Sequence, residues 1–348
     1  MLKFGIIGAG RLGSFHADKA AAHPRVELVG AFDPSEAARE ALAEKHGVAA
    51  FENLDTMLPQ VDAVVIATPS VTHHAIGLRC LQSGCHVLME KPLCVTSGEA
   101  AQLVHVAKNQ KRVLQVGHVE QFNPAWHAAA PILDNLAFGE KALIEAVRTS
   151  GYTFRSTDIG TVLDMMVHDL DLVLSVIPSA IRSVEAIGFY VIDPDRKHGH
   201  EDTVHARLMF ENGTVALFHA SRVAHEAVRR MNITMAGRSA RIDFGTRETR
   251  LVESSENILD GTFAPNMVSG SEAAAIAPSF MKEQFHITET QGEAVDALAL
   301  EMNDFVDAIE HRYEPKVTGR QGMAAVKAAE MILDAIRHAE FQQEKRAA

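Results

Sequence analysis

Gly8-Ala9-Gly10-Arg11-Leu12-Gly13 follows an apolar run and precedes a helical pattern. Glycines at this spacing let a strand turn sharply into a helix, bring backbone close to a pyrophosphate and pack the helix against a sheet. The backbone N–H groups at the helix start, around Arg11 and Leu12, then face the phosphates with the positive end of the helix dipole. Asp33 ends a second apolar run twenty residues after Gly13, where a carboxylate can accept both ribose hydroxyls of an adenosine. The same carboxylate repels a 2′-phosphate, and Pro34-Ser35 supplies no arginine to neutralise one, so NAD is the expected cofactor. Arg39, one helical turn on, keeps NADP open. The plain alternative is a strand-turn-helix with Asp33 as a cap.

Lys91, Asp164 and His168 carry a second chemistry. Glu90-Lys91-Pro92 ends an apolar run, and Pro92 cannot continue a ladder, so Lys91 is presented at the sheet edge where ligands bind. Over 160–177 a helical stripe of Leu163, Met166, Val167, Leu170, Leu174 and Ile177 stops at Pro178. Asp164 and His168, four apart, share the neighbouring face. A carboxylate beside an imidazole is an acid–base unit, because histidine titrates near neutrality and the carboxylate orients the ring or shares its substrate contact. A solvated lysine and a helix-surface ion pair are the bland readings. No third ligand stands at a telling spacing, so no metal is expected.

These groups need a scaffold. At 348 residues, 47% hydrophobic and 22% charged, the chain suits two domains with sizeable cores. Its net charge of -12 argues against a nucleic-acid or anionic-membrane surface. Cys80, Cys85 and Cys94 show neither a C-x-x-C pair nor zinc spacing and read as reduced packing residues. With no charged leader and no long apolar span, the cytoplasm is expected.

Apolar runs at 4–7, 26–32, 63–67, 86–89 and 113–116 alternate with helical patterns at 12–22, 35–46, 72–83 and 96–110. That alternation predicts a doubly wound parallel sheet, a Rossmann-type dinucleotide-binding domain over 1–120. Beyond Pro124 the period changes. Runs at 204–210 and 215–221 flank Asn212-Gly213, and runs at 230–236 and 240–244 flank Gly237, predicting hairpins of a largely antiparallel sheet. Residues 121–348 therefore read as an α+β domain, with loops at 193–202 and 254–277 and long helices at 293–311 and 319–342.

Four segments together, Gly8-x-Gly10-x-x-Gly13, Ala67-Thr68-Pro69 with His73, the run from Gly84 to Pro92, and Gly160-x-x-x-Asp164-x-x-x-His168, resemble the Gfo/Idh/MocA family of NAD(P)-dependent oxidoreductases in order and spacing. The similarity covers almost the whole chain. It implies Lys91 as active-site lysine, Asp164 and His168 as the carboxylate–histidine pair, and the glycine loop, Asp33, Thr68, His73 and Glu90 as cofactor-side positions. It also implies homo-oligomers packed through the second domain's sheet. Segments 117–124 and 167–174 look most like the branch that oxidises UDP-N-acetylglucosamine at C3, with Gln121 where an arginine is common. His118 is expected at cofactor or substrate, or as a strand-end residue with local bonds; Asn123 is expected at substrate or in a turn. Arg148 and Arg155, flanking Gly151, are candidates for a diphosphate. The expected reaction removes a proton through His168 while Lys91 stabilises the substrate oxygen and Asp164 compensates charge. A free-sugar or inositol-type polyol dehydrogenase and a non-catalytic dinucleotide-dependent sugar sensor are the alternatives.

Overall fold

β1 (Leu2–Ile7), β2 (Val26–Phe32), β3 (Ala49–Phe51), β4 (Ala63–Ile66), β5 (His86–Glu90) and β6 (Leu114–Gly117) pair in parallel in the order β3-β2-β1-β4-β5-β6. The computed structural model describes residues 1–195, 199–264, 266 and 268–347, without the side chains of 343, 344, 346 and 347. Every residue of β4 is buried, as expected of a strand covered by helices on both faces. Strand order reverses between β1 and β4, and the crevice at their carboxyl ends is where such sheets take ligands. The edge strand β3 was not anticipated, because its three residues are too few to show a period.

Local sequence fixes the helix ends. The Ser35 side chain accepts from the Ala38 N–H at the start of Glu36–His46, and Gly47, at φ +66°, closes that helix. Thr96 caps Ser97–Gln110 by accepting from the Glu99 N–H. That is one half of the capping box the sequence suggests.

The second sheet contains β7 (Leu143–Thr149), β8 (Ile181–Phe189), β9 (Thr203–Phe210), β10 (Val215–Ser221), β11 (Val228–Met235), β12 (Arg238–Asp243), β13 (Glu248–Ser254) and β14 (Phe285–Gln291). Its order is β14-β13-β12-β11-β7-β10-β9-β8, antiparallel except between β7 and β10. Both expected hairpins are present, turned at Gly213 (φ +87°) and Gly237 (φ +68°). The expected loop at 254–277 is corrected: Gly270–Gln284 is a helix opened by a capping box between Ser269 and Glu272. Residues 265 and 267 of that stretch, and 196–198 of the expected loop at 193–202, lie outside the described residues.

The helix Ala297–His311 returns to the parallel sheet. Met302, Phe305 and Val306 are buried with Phe4 and Ile6, the rings of Phe4 and Phe305 meeting edge to face at 5.7 Å. Burying each such side chain contributes about 1.5–3 kcal/mol. The final helix, Gly319–Ala347, packs Ile332 and Ile336 into the core of the second sheet and Val326 into that of the first. The three cysteines are buried and free, and burial pushes the Cys94 thiol up to about 12. Among the described residues no helix is long and apolar enough to cross a membrane.

Candidate active site

The end of β5 is held from two sides. Glu90 is buried, with Oε1 2.7 Å from His16 Nε2 and Oε2 accepting the Lys91 N–H at 3.2 Å. Burial raises its pKa, but the His16 bond and charge, with Lys91, carry it below the usual value. The His73 ring nitrogens lie 2.8 Å from the Pro92 carbonyl oxygen and 3.0 Å from that of Thr68, bracketing the ends of β4 and β5. Glu90 and His73 thus hold the backbone that presents Lys91. Its ammonium donates to Asp164 twice, at 2.6 Å to the carbonyl oxygen and 2.9 Å to Oδ1.

Asp164 lies in a π turn, Val162–Met166, that runs into the α-helix Val167–Val176. The uninterrupted α-helix expected over 160–177 is therefore corrected. Glu201 takes the Val162 N–H at 2.8 Å, and a Cβ at Gly160 would meet the Glu201 carboxylate at 2.2 Å, so a larger residue there would displace the carboxylate that anchors the turn. Single π turns of this kind concentrate at functional sites. Burial raises the Asp164 pKa, yet Lys91, Ser156 and Arg222 outweigh it and keep the group below the usual carboxylate value. Lys91 and Asp164 form a charged pair.

The sequence reading gave the carboxylate to His168; the geometry gives it to Lys91. His168 Nδ1 is enclosed with no hydrogen-bond partner among the described residues, and its ring stands edge to face with His118 at 6.1 Å. Burial, then the charges of Lys91, Arg148, His118 and Arg229, push His168 well below 6.5. A neutral ring beside an ammonium can accept a proton at neutral pH. His118 is buried, neither ring nitrogen has a partner among the described residues, and burial lowers its pKa as well.

The glycine loop fits a dinucleotide. Gly8 takes φ +95°, and a Cβ on Gly13 would come within 1.7 Å of the Gly8 carbonyl oxygen. A Cβ on Gly10 meets nothing within 4 Å, so protein packing does not demand glycine there and the open space suits a close pyrophosphate. Gly10 opens the helix Arg11–Ala22 with no side-chain cap, leaving the first-turn N–H groups for an anion, while the Arg11 and Leu12 side chains are exposed. Asp33 accepts from the N–H groups of Ala9 and Ser35, each at 2.8 Å, which leaves lone pairs for a ribose. Arg39 Nη1 donates to the Asp33 carbonyl oxygen at 3.5 Å. Thr68, partly exposed at the end of β4, accepts from the Thr72 hydroxyl.

Arg148, expected at the diphosphate, is corrected, and Asn123 takes the turn position that was its alternative. Arg148 is buried and donates through Nε and Nη2 to Asp169 at 3.0 and 2.8 Å and through Nη1 to Glu120 at 2.9 Å. Asn123 donates to Glu120 and to the Phe244 carbonyl and caps Pro124–Ala128 by accepting from Ala125. Arg148 thereby ties Glu120, just after β6, to the helix bearing His168, and Asn123 ties the same turn to the Phe244 carbonyl. Gln121, in place of an arginine, donates to Asp171 at 2.7 Å; burial raises the Asp171 pKa with no full cation beside it. Arg155 stays exposed and, among the described residues, bonds only Thr153 of its own loop. Glu120, Asp169, Ser156 and Arg229 were missed, since nothing in local spacing pairs residues so far apart in the chain.

Residues 2–118 match the family model described as an oxidoreductase family, NAD-binding Rossmann fold, and residues 147–340 match that family's C-terminal alpha/beta domain. The chain is 33% identical over 338 residues to a UDP-N-acetylglucosamine 3-dehydrogenase of Acidithiobacillus ferrooxidans, covering 96% of this chain and 98% of that protein. A solved structure of that enzyme superposes with a TM-score of 0.79 at 31% identity, over 96% and 97% of the two chains. An inositol 2-dehydrogenase of Rhizobium meliloti is 25% identical over 350 residues, 96% of this chain and 97% of that one.

Proposed function

The chain belongs to the Gfo/Idh/MocA oxidoreductases, NAD-dependent sugar dehydrogenases among them, and from that membership we propose that it oxidises C3 of UDP-N-acetylglucosamine, or a close UDP-aminosugar, to a ketone. The observation that carries the chemistry is the Lys91 ammonium fixed on Asp164 beside a neutral His168. NAD supplies the hydride acceptor when bound. His168 takes the substrate hydroxyl proton at Nε2, Nδ1 being enclosed. Lys91 holds the same oxygen and stabilises the charge that develops as the proton leaves. Asp164 keeps the ammonium aimed, and His118 walls the ring of His168. Residues 1–120 serve the cofactor and 121–348 the substrate.

The likeness of 117–124 and 167–174 to the nucleotide-sugar branch and the 33% identity to its Acidithiobacillus member favour this substrate. The inositol 2-dehydrogenase relative favours a second reading, a cyclic polyol dehydrogenase using the same three residues without a diphosphate contact. Following NADH formation with UDP-N-acetylglucosamine and with myo-inositol separates the two. The same reading includes self-association through the outer face of the second sheet, where a groove of 530 Å³ runs past Val147, Ile187 and Leu217. Light scattering after gel filtration tests it.

A further inference from the structure

β7 and β11 run antiparallel with Arg148 directly opposite Arg229, so both side chains leave the sheet on one face. That face meets the helix carrying His168 and Asp169, as the Arg148–Asp169 bonds show. The two arginines have opposite fates. Arg148 is buried and neutralised by Asp169 and Glu120. Arg229 is exposed, and among the described residues no carboxylate or other acceptor meets its guanidinium. Its charge nevertheless reaches both His168 and Asp169.

A chain with net charge -12 has acids in excess, yet this arginine beside the base is left without one. Gly151 approaches Ala224, Thr149 donates to the Glu226 carbonyl, and Ser156 of the following loop bonds Asp164. We propose that Arg229 binds the diphosphate of the substrate, a role for which the sequence offers Arg148 and Arg155. This assignment rests on the UDP-sugar reading above. A guanidinium fork matches two phosphate oxygens at once, which a point charge does not. Seating a dianion on Arg229 also cancels part of the charge that weakens His168 as a proton acceptor, so substrate binding strengthens the base that acts on it.

The test uses UDP as probe, titrated calorimetrically into the NADH-loaded enzyme as wild type, Arg229→Ala and Arg229→Lys. Wild type is expected to bind, Arg229→Ala to bind about tenfold or more weakly, and Arg229→Lys to lie between. In turnover, Arg229→Ala raises KM for UDP-N-acetylglucosamine more than it lowers kcat and moves the acid limb of kcat/KM to higher pH. Unchanged UDP affinity in Arg229→Ala, with wild type binding normally, overturns the assignment alone. Wild type that binds no UDP while oxidising a neutral polyol overturns the nucleotide-sugar reading and the assignment with it.

Discussion

The Lys91 ammonium lies 2.6 Å from the carbonyl oxygen and 2.9 Å from Oδ1 of Asp164, joining the end of β5 to the π turn before the helix of His168. A cation held this way meets a developing alkoxide without reorganising. Lys91→Met should lower kcat about 100-fold or more, with NAD affinity little changed. Calorimetric NAD binding and single-turnover rates check it; near-normal turnover would remove Lys91 from the mechanism.

The pH dependence follows from His168. Burial first, then surrounding cations, hold its pKa well below 6.5, and the neutral ring is the active form. Activity is therefore lost only as pH falls well below 6.5, and no limb from this residue appears between pH 6.5 and 8. The neutral-range limb expected from an ordinary histidine is displaced to acid. His168→Asn should abolish that limb along with most of the rate; a surviving limb points to His118.

Stability carries the same sign. His73, His118 and His168 all have folded pKa values lowered chiefly by burial. Below 6.5 the unfolded chain takes up protons that the folded chain refuses, so stability falls with pH from 6.5 downward through the lowered folded values. Urea midpoints from pH 8 to 5 should decline on the acid side, and His118→Gln should flatten the decline.

Arg148→Ala should act on stability before it acts on substrate. It leaves Asp169 and Glu120 buried without their cation, a loss of about 3–5 kcal/mol. Chemical denaturation measures it. A variant as stable as wild type but unable to bind UDP would return Arg148 to the substrate site.

Much of this was legible in the sequence, for physical reasons. β1, β2, β4, β5 and β6 are mostly apolar runs, because a parallel strand is covered on both faces. β14 was not, since nearly all its side chains are exposed and carry no period. Lys91, Asp164 and His168 stood out as residue types at telling positions. Their partnership did not: a π turn leaves no mark in hydrophobic spacing, and i, i+4 logic assigns Asp164 to His168 where the fold brings in Lys91 from β5. Arg148 and Arg229 look alike in sequence; only the acids that the fold sets beside one of them tell the two apart.

Cofactor choice is proposed to rest on Asp33. Its carboxylate, at the end of β2, repels a 2′-phosphate, while Arg39 reaches the Asp33 backbone. kcat/KM should favour NAD over NADP, and Asp33→Ser should narrow the ratio about tenfold or more by removing the repulsion and freeing Arg39 for the phosphate. An Asp33→Ser ratio equal to wild type would place the discrimination elsewhere.

The most direct measurement of the central claim is NADH formation at neutral pH by wild-type enzyme given NAD and UDP-N-acetylglucosamine, with a 2-oxoglutarate-linked aminotransferase added to consume the ketone. Turnover with the nucleotide sugar should exceed turnover with myo-inositol or free N-acetylglucosamine and disappear in Lys91→Met. Absence of NADH under that pull, beside robust oxidation of myo-inositol, would contradict the claim and leave a polyol dehydrogenase.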